Sequence, residues 1–170
     1  GFSLVVGLAI IKVLEEECLV EGFKIKWPND IYFKSKKIAG ILLENQIQLD
    51  NQFVVIGVGV NYNLNQNFVC KIPWTDLSNS AKKLPDIHSL TAKLINSILI
   101  TSENFKMNGL SSLLDQWDRY DMLKGSNVRL IESGKPIEGK VTGISQQGAL
   151  QVLTQNGVKE LYSSKYIEFI

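Results

Sequence analysis

The run Phe23-Lys-Ile-Lys-Trp27-Pro28-Asn29-Asp30-Ile-Tyr-Phe33-Lys34-Ser-Lys36-Lys37-Ile-Ala-Gly40-Ile-Leu42-Leu-Glu44 decides how this chain folds. Phe23 to Trp27 alternates apolar and basic residues with a period of two, Pro28-Asn29-Asp30 interrupts with turn chemistry, and Ile31-Tyr32-Phe33 resumes the extended pattern. A hairpin is predicted, followed by a further strand over Lys37 to Gln46. Lys26, Lys34, Lys36 and Lys37 gather around one carboxylate, Asp30, at a proline-fixed turn, and Gly40 stands where a strand ordinarily carries a side chain. A strand glycine costs stability unless something approaches the backbone there. Two readings of the lysines stand side by side. Ammonium groups could meet phosphate oxygens while the carboxylate holds a magnesium ion, or the lysines could simply protect a solvated edge strand from pairing.

Working outward, a turn is predicted at Leu49-Asp50-Asn51, and Phe53 to Asn61 is β-branched and apolar enough for a central strand buried on both faces. It ends Gly57-Val-Gly59-Val-Asn61. By period two these three share one face, so two positions without side chains lead to an amide that both donates and accepts. That suits a flat ligand, although strand glycines also mark bulges. Toward the N-terminus, Leu4 to Leu14 is apolar nearly all round, which predicts a buried helix with Ser3 as its cap. A helix like this, with no strand before it, is expected to need covering from outside the chain, leaving an apolar patch that favours a homodimer.

Tyr62 to Pro85 reads as a long loop with a helical turn near Trp74 to Lys82. Ser89 to Phe105 and Leu110 to Leu123 read as helices, with Trp117 in the core, while Trp27 is read as either core or pocket wall. After Lys124-Gly125, short strands separated by glycine turns, including Ser133-Gly134, follow at barrel spacing. Two domains are predicted: residues 1–123, and a small barrel over 124–170.

The 170 residues carry 18 basic and 17 acidic side chains. Near-neutrality gives no global footprint for nucleic acid or an anionic membrane, and no apolar run reaches the ~20 residues of a membrane span. Cys18 and Cys70 make no disulfide framework, so a cytoplasmic setting is expected. They and the single histidine, His88, are expected to be inert or structural.

The Trp27-Pro28-Asn29-Asp30 turn, the lysine hairpin, Lys37-Ile-Ala-Gly40-Ile-Leu42-Leu-Glu44, and the strand ending Gly57-Val-Gly59-Val-Asn61, in that order and followed by helices and a small β-domain, resemble the biotin protein ligases. The resemblance runs over essentially the whole chain. It implies an α+β fold, class II synthetase-like: a mixed, mostly antiparallel sheet backed by helices, then a small SH3-like β-barrel. It implies an enzyme that activates biotin with ATP and Mg2+ to biotinyl-5′-AMP and passes the biotinyl group to a lysine of the biotin carboxyl carrier domain of a carboxylase. By the same resemblance Lys37 is catalytic and contacts the biotin carboxylate and the phosphate. Asp30 sits at the metal or deprotonates the incoming lysine. Asn29 and Asn61 approach the adenine, and Gly40, Leu42, Gly57 and Gly59 line the biotin pocket. Lys37 has the wrong strand parity to share a face with Gly40 and Leu42, so the strand must start or bulge between them if all three face one ligand.

The family's Gly-Arg-Gly-Arg loop is not in this sequence, whose two arginines are Arg119 and Arg129. The chain is therefore expected to be the C-terminal part of a longer ligase, with weak or no turnover of its own and with no nucleic-acid contact of its own. A lipoate ligase-like enzyme and a non-catalytic module that holds biotin or a carrier domain are the alternatives.

Overall fold

The structure is a computed structural model that describes all residues except 49, 50, 66, 68, 133 and 165. The turns expected at Leu49-Asp50 and at Ser133 lie outside the described residues. Helix α1, Phe2–Cys18, packs on a four-stranded antiparallel sheet of β1, Phe23–Lys26; β2, Asp30–Phe33; β3, Lys36–Gln48; and β4, Asn51–Val60, in that order. The tip between β2 and β3 is Lys34-Ser35, both with positive φ, as a two-residue hairpin turn of matching twist requires. A short α2, Leu77–Ser80, precedes the long α3, Ile87–Asn108; a 3-10 turn, Ser111–Leu113, leads into α4, Leu114–Tyr120.

Eleven of the 17 residues of α1 are buried, on every side of the helix. The sheet covers one side. On the other, α3 runs antiparallel to α1, with Phe105 stacked on Phe2, Ser97 Oγ donating to Ala9 O, and Lys93 paired with Glu17. The apolar patch expected on α1 is thus covered within the chain, which removes the reason given for a homodimer. Ser3 does not cap the helix: Gly1 is the N-cap, and Ser3 Oγ instead donates to Pro28 O at 2.9 Å.

β4 departs from the sequence reading in a second way. It is an edge strand among the described residues, and Phe53, Val54 and Val55 are about half exposed. Ile56, Val58 and Val60 form one wall of an open apolar groove whose other wall is Leu90, Leu94 and Ile98 of α3. Apolarity on both faces reported a need for cover, not the strand's place in the sheet.

Strands β5, Asn127–Glu132; β6, Lys135–Ile144; β7, Leu150–Thr154; β8, Gly157–Leu161; and β9, Ile167–Phe169 form a second antiparallel sheet in the order β8-β7-β6-β5-β9. Among the described residues no ladder joins β8 to β9, so the barrel is open. Its apolar face, with Val128, Leu130, Val141, Leu150 and Val152 all buried, belongs to the same core cluster as the first sheet. Trp27 is a core residue, its indole N–H donating to Gly148 O at 3.0 Å. No helix among the described residues is long and apolar enough to cross a membrane.

Candidate active site

Residues directly opposite one another on antiparallel strands project to the same face of the sheet. The registers Lys26↔Asp30, Asp30↔Gly40 and Gly40↔Gly59 therefore lay one row across all four strands. That row reads cation, anion, glycine, glycine, so its β3–β4 half is a floor without side chains. Leu42↔Gly57 forms the next row on the same face. The opposite face carries Ile25, Ile31, Ala39 and Ile41, all buried against α1.

A regular β3 would turn Lys37 toward that buried face. It is not regular. Ile31 pairs with Ala39 but Tyr32 pairs with Lys37, which leaves Ile38 as the extra residue of a β-bulge. The bulge sends Ile38 into the core and brings Lys37 Nζ to 2.6 Å from Asp30 Oδ1. A Cβ on Gly40 would lie 3.4 Å from that Oδ1 and 3.5 Å from Lys37 Nζ, whereas one on Gly59 would meet nothing within 4 Å. The ion pair thus stands at the wall of an open floor.

The cleft above the floor has a volume of about 390 Å³. Lys37, Gly40, Gly59 and Asn61 line it from the sheet, and Leu64, Cys70, Ile72 and Trp74 from the loop that follows β4. That loop is laced to the sheet. Lys37 N donates to Pro73 O at 2.8 Å, Thr75 N to Lys37 O at 2.9 Å, and Asn61 N to Ile38 O at 2.8 Å. Asn61 Nδ2 donates to Thr75 O at 2.9 Å, which leaves its Oδ1 as the acceptor it can offer a ligand. Deeper in, the buried Asp76 carboxylate accepts from Leu64 N, Ser78 Oγ, and both nitrogens of Asn79. Burial pushes its pKa up, but these four hydrogen bonds outweigh burial and hold it below the ordinary aspartate value.

Of the residues read from sequence, Lys37, Gly40, Gly59 and Asn61 meet in the cleft, and Asp30 joins it through Lys37. Leu42 and Gly57 share the face but lie one row along, with Leu42 60% exposed. Asn29 is engaged elsewhere: its Nδ2 donates to Ile41 O at 2.7 Å and its carbonyl accepts from Ile41 N at 2.9 Å, clamping the turn to β3. The loop residues Leu64, Cys70, Ile72 and Trp74 were missed. The signal available was the loop's length, and a tryptophan in an otherwise polar stretch. Cys18 is buried and its thiol pushed up to about 11 by burial and then by Glu17, which leaves it inert.

Among the described residues no three metal-ligating side chains cluster. A magnesium site commonly takes one or two carboxylates, with substrate phosphates and waters completing the shell. Asp30 beside Lys37 fits an ion that arrives on a polyphosphate.

The Biotin/lipoate A/B protein ligase family model matches residues 2–61, and the Biotin protein ligase C terminal domain model matches residues 125–164. The chain is 35% identical over 161 residues to the bifunctional ligase/repressor BirA of Escherichia coli, covering 93% of this chain and 49% of that protein. It is 32% identical over 170 residues to the BirA of Bacillus subtilis, covering 95% and 51%. The chain thus spans about half the length of these curated relatives. Among solved structures, the biotin protein ligase of Aquifex aeolicus in complex with biotin and ATP superposes with a TM-score of 0.83 at 28% identity, over 99% of this chain and 71% of that one. With a glycine-floored cleft, a lysine brought to it by a bulge, and both domain models matched in order, the chain belongs to the biotin protein ligase family.

Proposed function

We propose that the cleft binds biotin and MgATP and serves the formation of biotinyl-5′-AMP. A biotin carboxylate oxygen attacks the α-phosphorus, the bond to the bridging oxygen breaks, and pyrophosphate leaves; a bound magnesium ion would offset the charge on the phosphate oxygens. The biotinyl group then passes to a lysine of a biotin carboxyl carrier domain, releasing AMP. The observation that carries this reading is the bulge at Ile38, which sets the Lys37 ammonium at the wall of a floor made by Gly40 and Gly59. A flat ring system can lie on such a floor. A fixed ammonium beside it stabilises charge that builds on phosphate oxygens as the new bond forms.

In this scheme Lys37 leaves Asp30 for the phosphate and the biotin carboxylate, and Asp30 is the carboxylate that would hold the magnesium or take the proton of the carrier lysine. Asn61 reads the adenine edge through its Oδ1, and Asn29 acts by holding the turn against β3. Gly57 and Leu42 extend the biotin-facing surface. Residues 1–123 form the catalytic unit and 124–170 the C-terminal one. The biotin- and ATP-bound Aquifex protein supports biotin over lipoate, as do the relatives' names.

Calorimetric titration of biotin, then MgATP, into the chain tests the reading. Heat from both ligands, with MgATP binding strengthened by biotin and lost in Lys37→Ala, is expected. Absence of heat from either ligand overturns it.

A further inference from the structure

Lys26 begins the row that ends in the glycine floor. Its ammonium is half-buried at the seam between the two sheets. There it donates to Ile167 O at 3.0 Å and lies 5.9 Å from the Tyr32 ring centroid and 5.6 Å from that of Phe169. Carbonyl and ring faces both hold a cation without neutralising it. Burial lowers its pKa most; Asp30 opposes that and Lys37 adds to it, so both ends of the neighbouring ion pair act on its charge.

The charges of the trio decide the matter. Lys37 and Asp30 pair at 2.6 Å and cancel, so the net +1 of Lys26, Asp30 and Lys37 is supplied by Lys26. A site that receives a polyanion through Lys37 needs that surplus, since without Lys26 every step of Lys37 toward phosphate would leave the Asp30 carboxylate uncancelled beside it. Resting on the proposed function, we infer that Lys26 is a positioning residue. Held by the carbonyl of Ile167 and the ring of Phe169 on β9, it balances Asp30 and frees Lys37 for the nucleotide. The C-terminal sheet thereby sets the electrostatics of the first.

The test is MgATP titration, in the presence of biotin, of the full chain and of Lys26→Met, Lys26→Gln and Lys26→Arg at two salt concentrations. Methionine keeps the apolar stem, glutamine keeps a donor for Ile167 O, and arginine keeps the charge. A roughly fivefold loss of affinity is expected for Met and Gln alike, on the scale of one charge acting across a partly solvated gap, with a shallower dependence on salt. Arg should stay within about twofold of the parent. Circular dichroism checks that each variant folds, and the Gln and Arg variants decide the question if Met does not. Wild-type affinity and salt dependence in Lys26→Gln overturn the inference while leaving the proposed function intact, because the tie to β9 would then be structural only. No MgATP binding by the parent chain overturns both.

Discussion

The two faces of the β1–β4 sheet are made from the same strands, residue by residue in alternation, yet they do opposite work. The face toward α1 is filled: Ile25, Ile31, Ala39 and Ile41 are all buried, and Gly7 of α1 comes so close that a Cβ there would lie 3.0 Å from Ile25 Cδ1. The other face is emptied, with Gly40 and Gly59 giving up side chains and Lys37 and Asp30 standing at the rim. Packing is thus concentrated on one side, and charge beside open space on the other. The bulge at Ile38 is the point where one residue crosses from the second set to the first and another takes its place. Substitutions on one face should leave the other's property alone.

The largest effect tests the filled face. Ile25→Ala removes a fully buried side chain under α1 and should cost about 2–5 kcal/mol of unfolding free energy, the range for such deletions, measured by urea denaturation. At temperatures where the variant stays folded its affinity for biotin should be within about twofold of the parent. A large loss of affinity at full folding would show that the faces are coupled.

Next is the emptied face. Lys37→Ala should leave the denaturation midpoint nearly unchanged, because the lysine side chain is about a third exposed and its pair with Asp30 is partly solvated. Any biotin-dependent pyrophosphate release should fall by about a hundredfold or more, roughly 2.7 kcal/mol, the scale of one preorganised donor at a developing charge. Retention of wild-type release would remove Lys37 from the chemistry.

Gly59→Val sharpens the contrast from within a strand. Valine suits β4, and its side chain would enter space where a Cβ meets nothing within 4 Å, so folding should hold. Biotin affinity should fall at least about tenfold, read by calorimetry. Unchanged affinity would assign the glycine to packing.

Much of this division was legible in the sequence. Period-two alternation at Phe23 to Trp27 gave the hairpin, and the parity conflict between Lys37 and Gly40 demanded that the strand start or bulge between them; of the two, the structure has the bulge, at Ile38. What could not be read was anything that depends on neighbours distant in sequence. The all-apolar pattern of β4 carries no mark of whether a further strand lies beside it. Ser3 has the chemistry of a cap, but Pro28 O, 25 residues away, takes its hydroxyl. Leu64, Cys70 and Ile72 reach the cleft because Asp76 and the Lys37 backbone hold their loop there, and no periodic pattern announces such a hold.

The smallest predicted effect compares two carboxylates rather than two faces. Asp30 sits at the open rim, whereas Asp121 lies against the filled face, where Met122 N donates to Ile25 O and Asp121 itself is buried. Burial pushes the Asp121 pKa up, against the pull of hydrogen bonds from Leu123 N, Lys124 N and the Trp117 indole. The folded state therefore holds this proton more tightly than the unfolded chain, whose aspartate value is near ~3.9. As pH rises from about 3.9 toward the raised folded value, the unfolded state releases its proton first, and stability falls. Above that window the loss is constant. Asp121→Asn cannot titrate, so the stability of the variant relative to the parent should climb with pH through the window by on the order of 1 kcal/mol or less, then level off. Urea midpoints of both proteins between pH 3 and 7 give the difference directly. The other carboxylates cancel in that difference, so a flat line would mean that burial does not shift Asp121 and that the filled face tolerates a charge as readily as the open one.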